Sequence, residues 1–119
     1  MMRSMGRVLP MLLATACALW AADRQAEQAF REGQRLERSG KLREAFEAFA
    51  RAAEREPRDP RFLLHREMAR QRAAFFHASA ALRLMRRKQY AEAVKEFEQA
   101  GEIDPSNDFV KHELARVRE

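Results

Sequence analysis

Residues 36–57 read LERSGKLREAFEAFARAAEREP, and residues 84–105 read LMRRKQYAEAVKEFEQAGEIDP. Laid over one another, the two stretches share a pattern carried by six positions. Leu36, Leu42, Ala45, Phe49, Ala52 and Pro57 are matched at one constant offset of 48 by Leu84, Tyr90, Ala93, Phe97, Ala100 and Pro105. Each copy follows one formula: apolar, five residues, apolar, two residues, Ala, three residues, Phe, two residues, Ala, four residues, Pro. Two copies of one helix–turn–helix unit explain the recurrence. Stacked units of this kind build interaction surfaces rather than catalytic centres.

Upstream of Leu36, the residues Ala26, Ala29, Phe30 and Gly33 complete an apolar stripe spaced i, i+3, i+4, i+7, i+10, one face of a helix. Ser39-Gly40 interrupts it, with glycine suited to the left-handed turn after a helix. Ala45, Phe46, Ala48, Phe49, Ala52 and Ala53 form the stripe of a second helix, which Pro57 and Pro60 close. Small Gly33 and Ala45 permit a close antiparallel approach, while Phe49 and Leu36 fill the space around them.

From Arg61 to Lys88 no glycine, proline or turn cluster occurs, so the sequence predicts one elongated helix over about 60–88. A repeat unit shorter than the offset leaves residues 60–73 as a helical insertion. That segment makes nearly four turns at about 3.6 residues each, which keeps Leu64, Met68 and Phe75 in line with Leu82. A break between Arg70 and Phe76 would contradict this. The last segment, 108–118, carries Phe109, Val110, Leu114 and Val117 on one side, with Ser106 or Asn107 as its cap. It is expected to cover the second unit's apolar face.

The composition agrees with an all-α chain. In 119 residues, 34% are charged, 8% are aromatic, and only four glycines and four prolines interrupt helix formation. The net charge of +5 is unevenly spread. Residues 23–57 hold eight groups of each sign, residues 58–88 nine basic and two acidic, and residues 89–119 four basic and eight acidic. The basic middle, with Arg61, Arg66, Arg70, Arg72, Arg83, Arg86, Arg87 and Lys88, has two readings. It docks an acidic or anionic surface, or it neutralises the acidic last third of the same chain.

Positions 1–21 read as an address. Met1 to Arg7 is short and basic, Val8 to Trp20 is apolar, and Ala21-Ala22 precedes polar sequence. This is the order of an export signal, and the apolar run is shorter than the ~20 residues of a spanning helix. Cleavage near Ala21 leaves residues 22–119 as the mature chain, exported and periplasmic. Ala14-Thr15-Ala16-Cys17 also resembles a bacterial lipoprotein box, which implies lipidation at Cys17 and an outer-membrane association. A retained anchor is the third reading. Cys17 is the only cysteine, so a cleaved chain has no thiol for disulfides or catalysis.

The units resemble the tetratricopeptide repeat family over about residues 26–107. Counted from Ala26, the family's small positions fall on Gly33 and Ala45, its apolar position on Leu36, its turn glycine on Gly40, its aromatic on Phe49, and its closing Ala and Pro on Ala52 and Pro57. Repeat 1 then covers about 26–59 and repeat 2 about 74–107, where His77, Ala81, Leu84, Tyr90, Ala93, Phe97, Ala100 and Pro105 occupy the signature positions and Lys88 replaces the turn glycine. Ala29 and Glu32 depart from the family's usual Trp and Leu. The resemblance implies a groove, lined by the first helix of each unit, that binds a protein or peptide. By position its lining is Glu27, Phe30, Gln34, Glu37 and Arg38 in repeat 1, and Phe75, Ala78, Leu82, Met85 and Arg86 in repeat 2. Adjacent Phe75 and Phe76 point about 100° apart, so burying both needs a broad contact. More loosely, the layout resembles the amino-terminal part of bacterial secretins of type II secretion and type IV pilus systems. That likeness implies a module of an outer-membrane pore, or a lipidated assembly factor for one.

No catalytic constellation is legible. His65, His77 and His112 lack partners at metal-binding spacing, the serines lack elbow glycines, and no glycine-rich phosphate loop occurs. The expectation is a non-enzymatic envelope scaffold without metal or cofactor. Two repeats alone favour self-association. Export argues against a nucleic-acid partner, and membrane contact would come only through a retained anchor or lipid.

Overall fold

Turn chemistry sets where each helix stops. The computed structural model describes residues 5–119. Five helices follow one another: α1 (Met5–Arg38), α2 (Leu42–Arg55), α3 (Pro60–Arg86), α4 (Tyr90–Ile103) and α5 (Asp108–Arg118). No strand occurs among the described residues. α1 ends at Gly40, whose φ is 75°. There the Lys41 amide donates to the Leu36 carbonyl at 2.9 Å and the Gly40 amide to the Glu37 carbonyl at 3.1 Å, the paired bonds of a left-handed helix stop. α3 ends by the same device at the equivalent place in the second copy. The Gln89 amide donates to the Leu84 carbonyl and the Lys88 amide to the Met85 carbonyl, both at 2.9 Å. The left-handed residue is now Lys88, at φ 60°.

The remaining turns are duplicated too. The Asp59 carboxylate accepts from the Arg61 amide at 2.9 Å and caps α3. The Asn107 side chain accepts from the Val110 amide at 3.2 Å and caps α5. Each satisfies an amide that the first turn of a helix leaves unpaired. Asp59 and Asn107 are related by the same offset as the two copies, so α5 corresponds to the first half of α3.

The core shows what that correspondence does. One cluster gathers Ala26, Phe30, Ala45, Phe49, Ala52, Phe62 and Ala69. The other gathers Ala78, Ala93, Phe97, Ala100 and Val110, with Val117 packed against it. Apart from Ala26, whose counterpart Ala74 lies in the small third cluster, these are the same positions at the same offset. The first half of α3 therefore covers the first unit as α5 covers the second. Residues 60–73, expected as an insertion, form that cover and continue unbroken into the first helix of the second unit. A small third cluster of Ala73, Ala74 and Ile103, with Leu42 and Phe46 against it, joins the two.

α3 runs 27 residues without a break between Arg70 and Phe76, as the sequence predicted. Its stripe of Leu64, Met68, Phe75 and Leu82 is exposed, however. The face it buries is Phe62, Ala69, Ala73, Ala74, Ala78 and Ala81. Alanines win that face because neighbouring helix backbones come close there, and a larger side chain would hold them apart. At Gly33, between α1 and α2, the packing leaves no room for a side chain: a Cβ there would lie 2.6 Å from two ring carbons of Phe49.

α1 is also continuous, so the apolar run and the stripe from Ala26 belong to one helix of 34 residues with no break at Ala21 or Ala22. Met1 to Ser4, part of the expected export signal, lie outside the described residues. Between Ala14 and Gln25 every described side chain is exposed, and the core begins at Ala26. Among the described residues, no helix is long and apolar enough to cross a membrane.

Candidate peptide-binding groove

The ten expected groove residues fall into two environments. In the first unit the inner face is closed. Glu27 meets Arg61 at 2.6 Å, and Glu37 meets Arg72 at 2.7 Å, so two ion pairs tie α1 to α3. Phe30 lies in the core instead of lining a groove, at 8% exposure. Its ring centroid is 5.6 Å from that of Phe49, 5.2 Å from that of Phe62, and 4.8 Å from the imidazole of His65 in a T-shaped contact. The sequence could not show this, because the covering residues Phe62 and His65 come from the far side of the α2–α3 turn. Gln34 is half-buried and Arg38 exposed at the end of α1.

The second unit is open. Phe75, Ala78 and Leu82 line one wall of a cleft of about 460 Å³, and Asp104, Asn107 and Phe109 line the other. Phe75 is 74% exposed and Phe109 50%. Leu82 continues into a neighbouring cleft of about 390 Å³, formed with Met85, Arg86 and Arg116. The groove thus runs between α3 and α5. Phe76 lies on the other side of the Phe75–Ser79 ridge, in an adjoining cleft of about 400 Å³ that Phe75 and Ser79 share with Leu42 and Arg83.

The repeat offset explains why one face is shut and the other open. Glu27 and Arg61, an ion pair in the first unit, correspond to Phe75 and Phe109, the exposed rings flanking the cleft. Phe30, which fills the first unit's floor, corresponds to Ala78. Replacing a phenylalanine by alanine leaves the volume of a ring unfilled, and replacing an ion pair by two phenyl groups makes the rim apolar.

The basic stretch also divides. Arg61 pairs with Glu27 and Asp59, Arg66 and Arg70 with Glu67, and Arg72 with Glu37. These partners belong to the first unit and to α3 itself, not to the acidic last third. Two bonds from Asp59 and Glu27 raise the pKa of the Arg61 guanidinium, and the same contact holds the Asp59 carboxyl below the usual carboxylate range. The acidic end has other neighbours, with Arg43 on Glu102 at 3.2 Å and Arg118 on Glu98 at 2.6 Å. Arg83, Arg86, Arg87 and Lys88 have no carboxylate partner among the described residues. They sit at the carbonyl end of α3, which favours cations.

Other polar groups serve packing. His77 Nδ1 lies 2.7 Å from Glu96 between α3 and α4. Buried Glu113 accepts from Arg116 at 2.7 Å. No group of three or more metal-ligating side chains comes together among the described residues.

Sequence reasoning missed Phe109, Asp104 and Asn107. It assigned Phe109 to the apolar side of a covering helix, whereas Val110 takes the buried place and Phe109 faces the cleft. Extending the offset past Pro105 would have paired Phe109 with Arg61 and marked it as a rim residue.

No protein-family model matches the chain, and no curated protein matches it. In structure it is similar to the first tetratricopeptide repeat domain of Spaghetti (RPAP3), solved with a bound HSP90 peptide, at 17% identity and a TM-score of 0.40 over 81% of this chain and 92% of that one. The described residues form an all-α fold of two stacked helix–turn–helix units closed by a fifth helix.

Proposed function

We propose that this chain is a non-enzymatic protein-interaction module that receives a protein or peptide segment in the groove between α3 and α5. One observation carries the reading. Phe75 and Phe109, both strongly exposed, face each other across an open apolar cleft at positions where the first unit has an ion pair over a filled core. A buried phenylalanine contributes roughly 1.5–3 kcal/mol relative to an exposed one, so two rings left in water are a standing gain for any partner that covers them. The basic and apolar start of the chain supports export, and we place the module in a bacterial cell envelope, either periplasmic or held at a membrane through Cys17.

The test is a crosslinking pull-down from envelope extract with the parent chain beside a Phe75→Ala/Leu82→Ala variant. Both side chains are partly or largely exposed, so the variant keeps its helix content by circular dichroism. A partner captured by the parent and lost by the folded variant supports the groove. Equal capture by both refutes it, and the same crosslinks report a second copy of the chain if self-association covers the face.

A further inference from the structure

The first unit shows what belongs in the second unit's cleft. In the first unit the floor is filled by the ring of Phe30, held by Phe49, Phe62 and His65. In the second unit the floor residue is Ala78, and the space above it is the cleft of about 460 Å³. We propose that the partner is an acidic amphipathic helix. A large apolar side chain of that helix drops between Phe75 and Phe109 onto Ala78, and its carboxylates meet the cations at the end of α3. This rests on the groove reading above and adds the chemistry of the occupant.

The helical form follows from the walls. The long wall, α3, is a helix whose backbone groups are bonded internally, and the far wall is the α4–α5 turn with the first turn of α5, so neither offers an edge to an extended strand. An extended segment buried here would leave its own amides and carbonyls unpaired, whereas a helix satisfies its own. On the far wall one oxygen of each polar side chain is already engaged. Asn107 accepts from the Val110 amide, and Asp104 accepts from the Ser106 hydroxyl at 2.6 Å. On α3 the apolar ridge from Phe75 through Ala78 and Leu82 to Met85 spans about 15 Å of helix at about 1.5 Å per residue. That length suits roughly three turns of a facing helix.

The charge follows from what is left over. From Arg61 to Arg72 each arginine has a carboxylate, but among the described residues Arg83, Arg86, Arg87 and Lys88 have none. Arg86 lines the groove's second cleft beside Arg116. Carboxylates beyond the apolar anchor would pair with Arg86, draw on the unpaired charge of its neighbours, set the direction of the bound helix, and speed its capture.

A phage-displayed library of random peptides, selected on the full chain of 119 residues, tests the proposal. The enriched peptides are then measured by fluorescence anisotropy against three proteins. One is the parent. The second is Phe75→Glu/Phe109→Arg, which installs the first unit's ion pair across the cleft and touches only exposed positions. The third is Arg86→Glu, which reverses the cation, unpartnered among the described residues, that lines the groove.

The expected result is enrichment of sequences with a large apolar residue followed by Asp or Glu, which gain helix content on binding. Their affinity should vanish with the ion-pair variant. It should fall about ten-fold or more with the charge-reversed one, and similarly when salt rises well above physiological strength. Enriched peptides that are neutral or basic, or that ignore the charge reversal, overturn the acidic partner and leave the groove standing. No enrichment, or binding untouched by the ion-pair variant, overturns the groove with it. Charge-dependent binding to phosphatidylglycerol vesicles in place of peptide assigns the cations to a membrane surface and also overturns the proposal.

Discussion

Replacing Gly33 by alanine should destabilise the protein, although the residue lies within a helix where alanine is intrinsically better by about 1 kcal/mol. The added methyl carbon would lie 2.6 Å from both Cδ1 and Cε1 of Phe49 and 3.0 Å from Cγ. The ring has nowhere to go: Phe49 is fully buried, and the rings of Phe30 and His65 lie 5.6 and 5.4 Å from it. Overpacking of a tight core costs about 1–3 kcal/mol, enough to cancel or exceed the propensity gain. Gly101 is the internal control. A Cβ there would meet Val110 Cγ1 at 3.7 Å, an ordinary contact, so Gly101→Ala keeps its gain. The Gly33→Ala variant should therefore be less stable than Gly101→Ala by about 1–3 kcal/mol. Urea unfolding followed by far-ultraviolet circular dichroism reads the difference, and adding Phe49→Leu to Gly33→Ala should recover part of it by making room. Equal stability of the two glycine variants, or a more stable Gly33→Ala, would refute the account of α1 and α2 as helices held apart by no more than a glycine.

Three further outcomes follow from the same geometry. Lys88→Gly should stabilise by about 1 kcal/mol in urea unfolding, because a non-glycine residue at φ 60° carries a steric cost that glycine avoids. Phe97→Ala should cost about 3–5 kcal/mol, since Phe97 is fully buried, while Tyr90→Ala, at a half-exposed position of the same repeat formula, should cost under about 1 kcal/mol. Asp59 should contribute to acid sensitivity. Its folded pKa lies below its unfolded one, so the stability it adds is complete above pH ~4 and is lost as the pH falls through the lower folded value. Asp59→Asn, which retains a capping side chain, should flatten the urea midpoint against pH in that window, and parallel curves for parent and variant would count against the role given to Arg61.

Much of the architecture was legible in one dimension because its rules are local. Helix starts and stops depend on residues a few positions apart: Ser39-Gly40, Pro57, Asp59-Pro60 and Pro105 punctuate the chain where the helices end or begin. The absence of such punctuation from Arg61 to Lys88 announced α3. The repeat itself was visible because buried positions tolerate few side chains, so Ala45, Phe49 and Ala52 reappear as Ala93, Phe97 and Ala100.

The groove was legible only in part. Position within a repeat placed Phe75, Ala78 and Leu82 on its wall, and Met85 and Arg86 farther along it. The same rule named Phe30, Glu27 and Glu37, which α3 covers with Phe62, His65, Arg61 and Arg72. Periodicity reports which residues share a helix face, but not whether a later helix lies over that face.

The sequence alone thus determined an all-α chain of two equivalent helix–turn–helix units and the offset relating them, since both are written in local turn signals and in the size limits of a packed core. Tertiary structure alone decided that the first unit is sealed and the second open, and which arginines are left without a carboxylate. Those outcomes depend on pairs distant in sequence, Glu27 bonded to Arg61 and Phe75 across the cleft from Phe109, which are set opposite one another only when α3 and α5 close over the units before them.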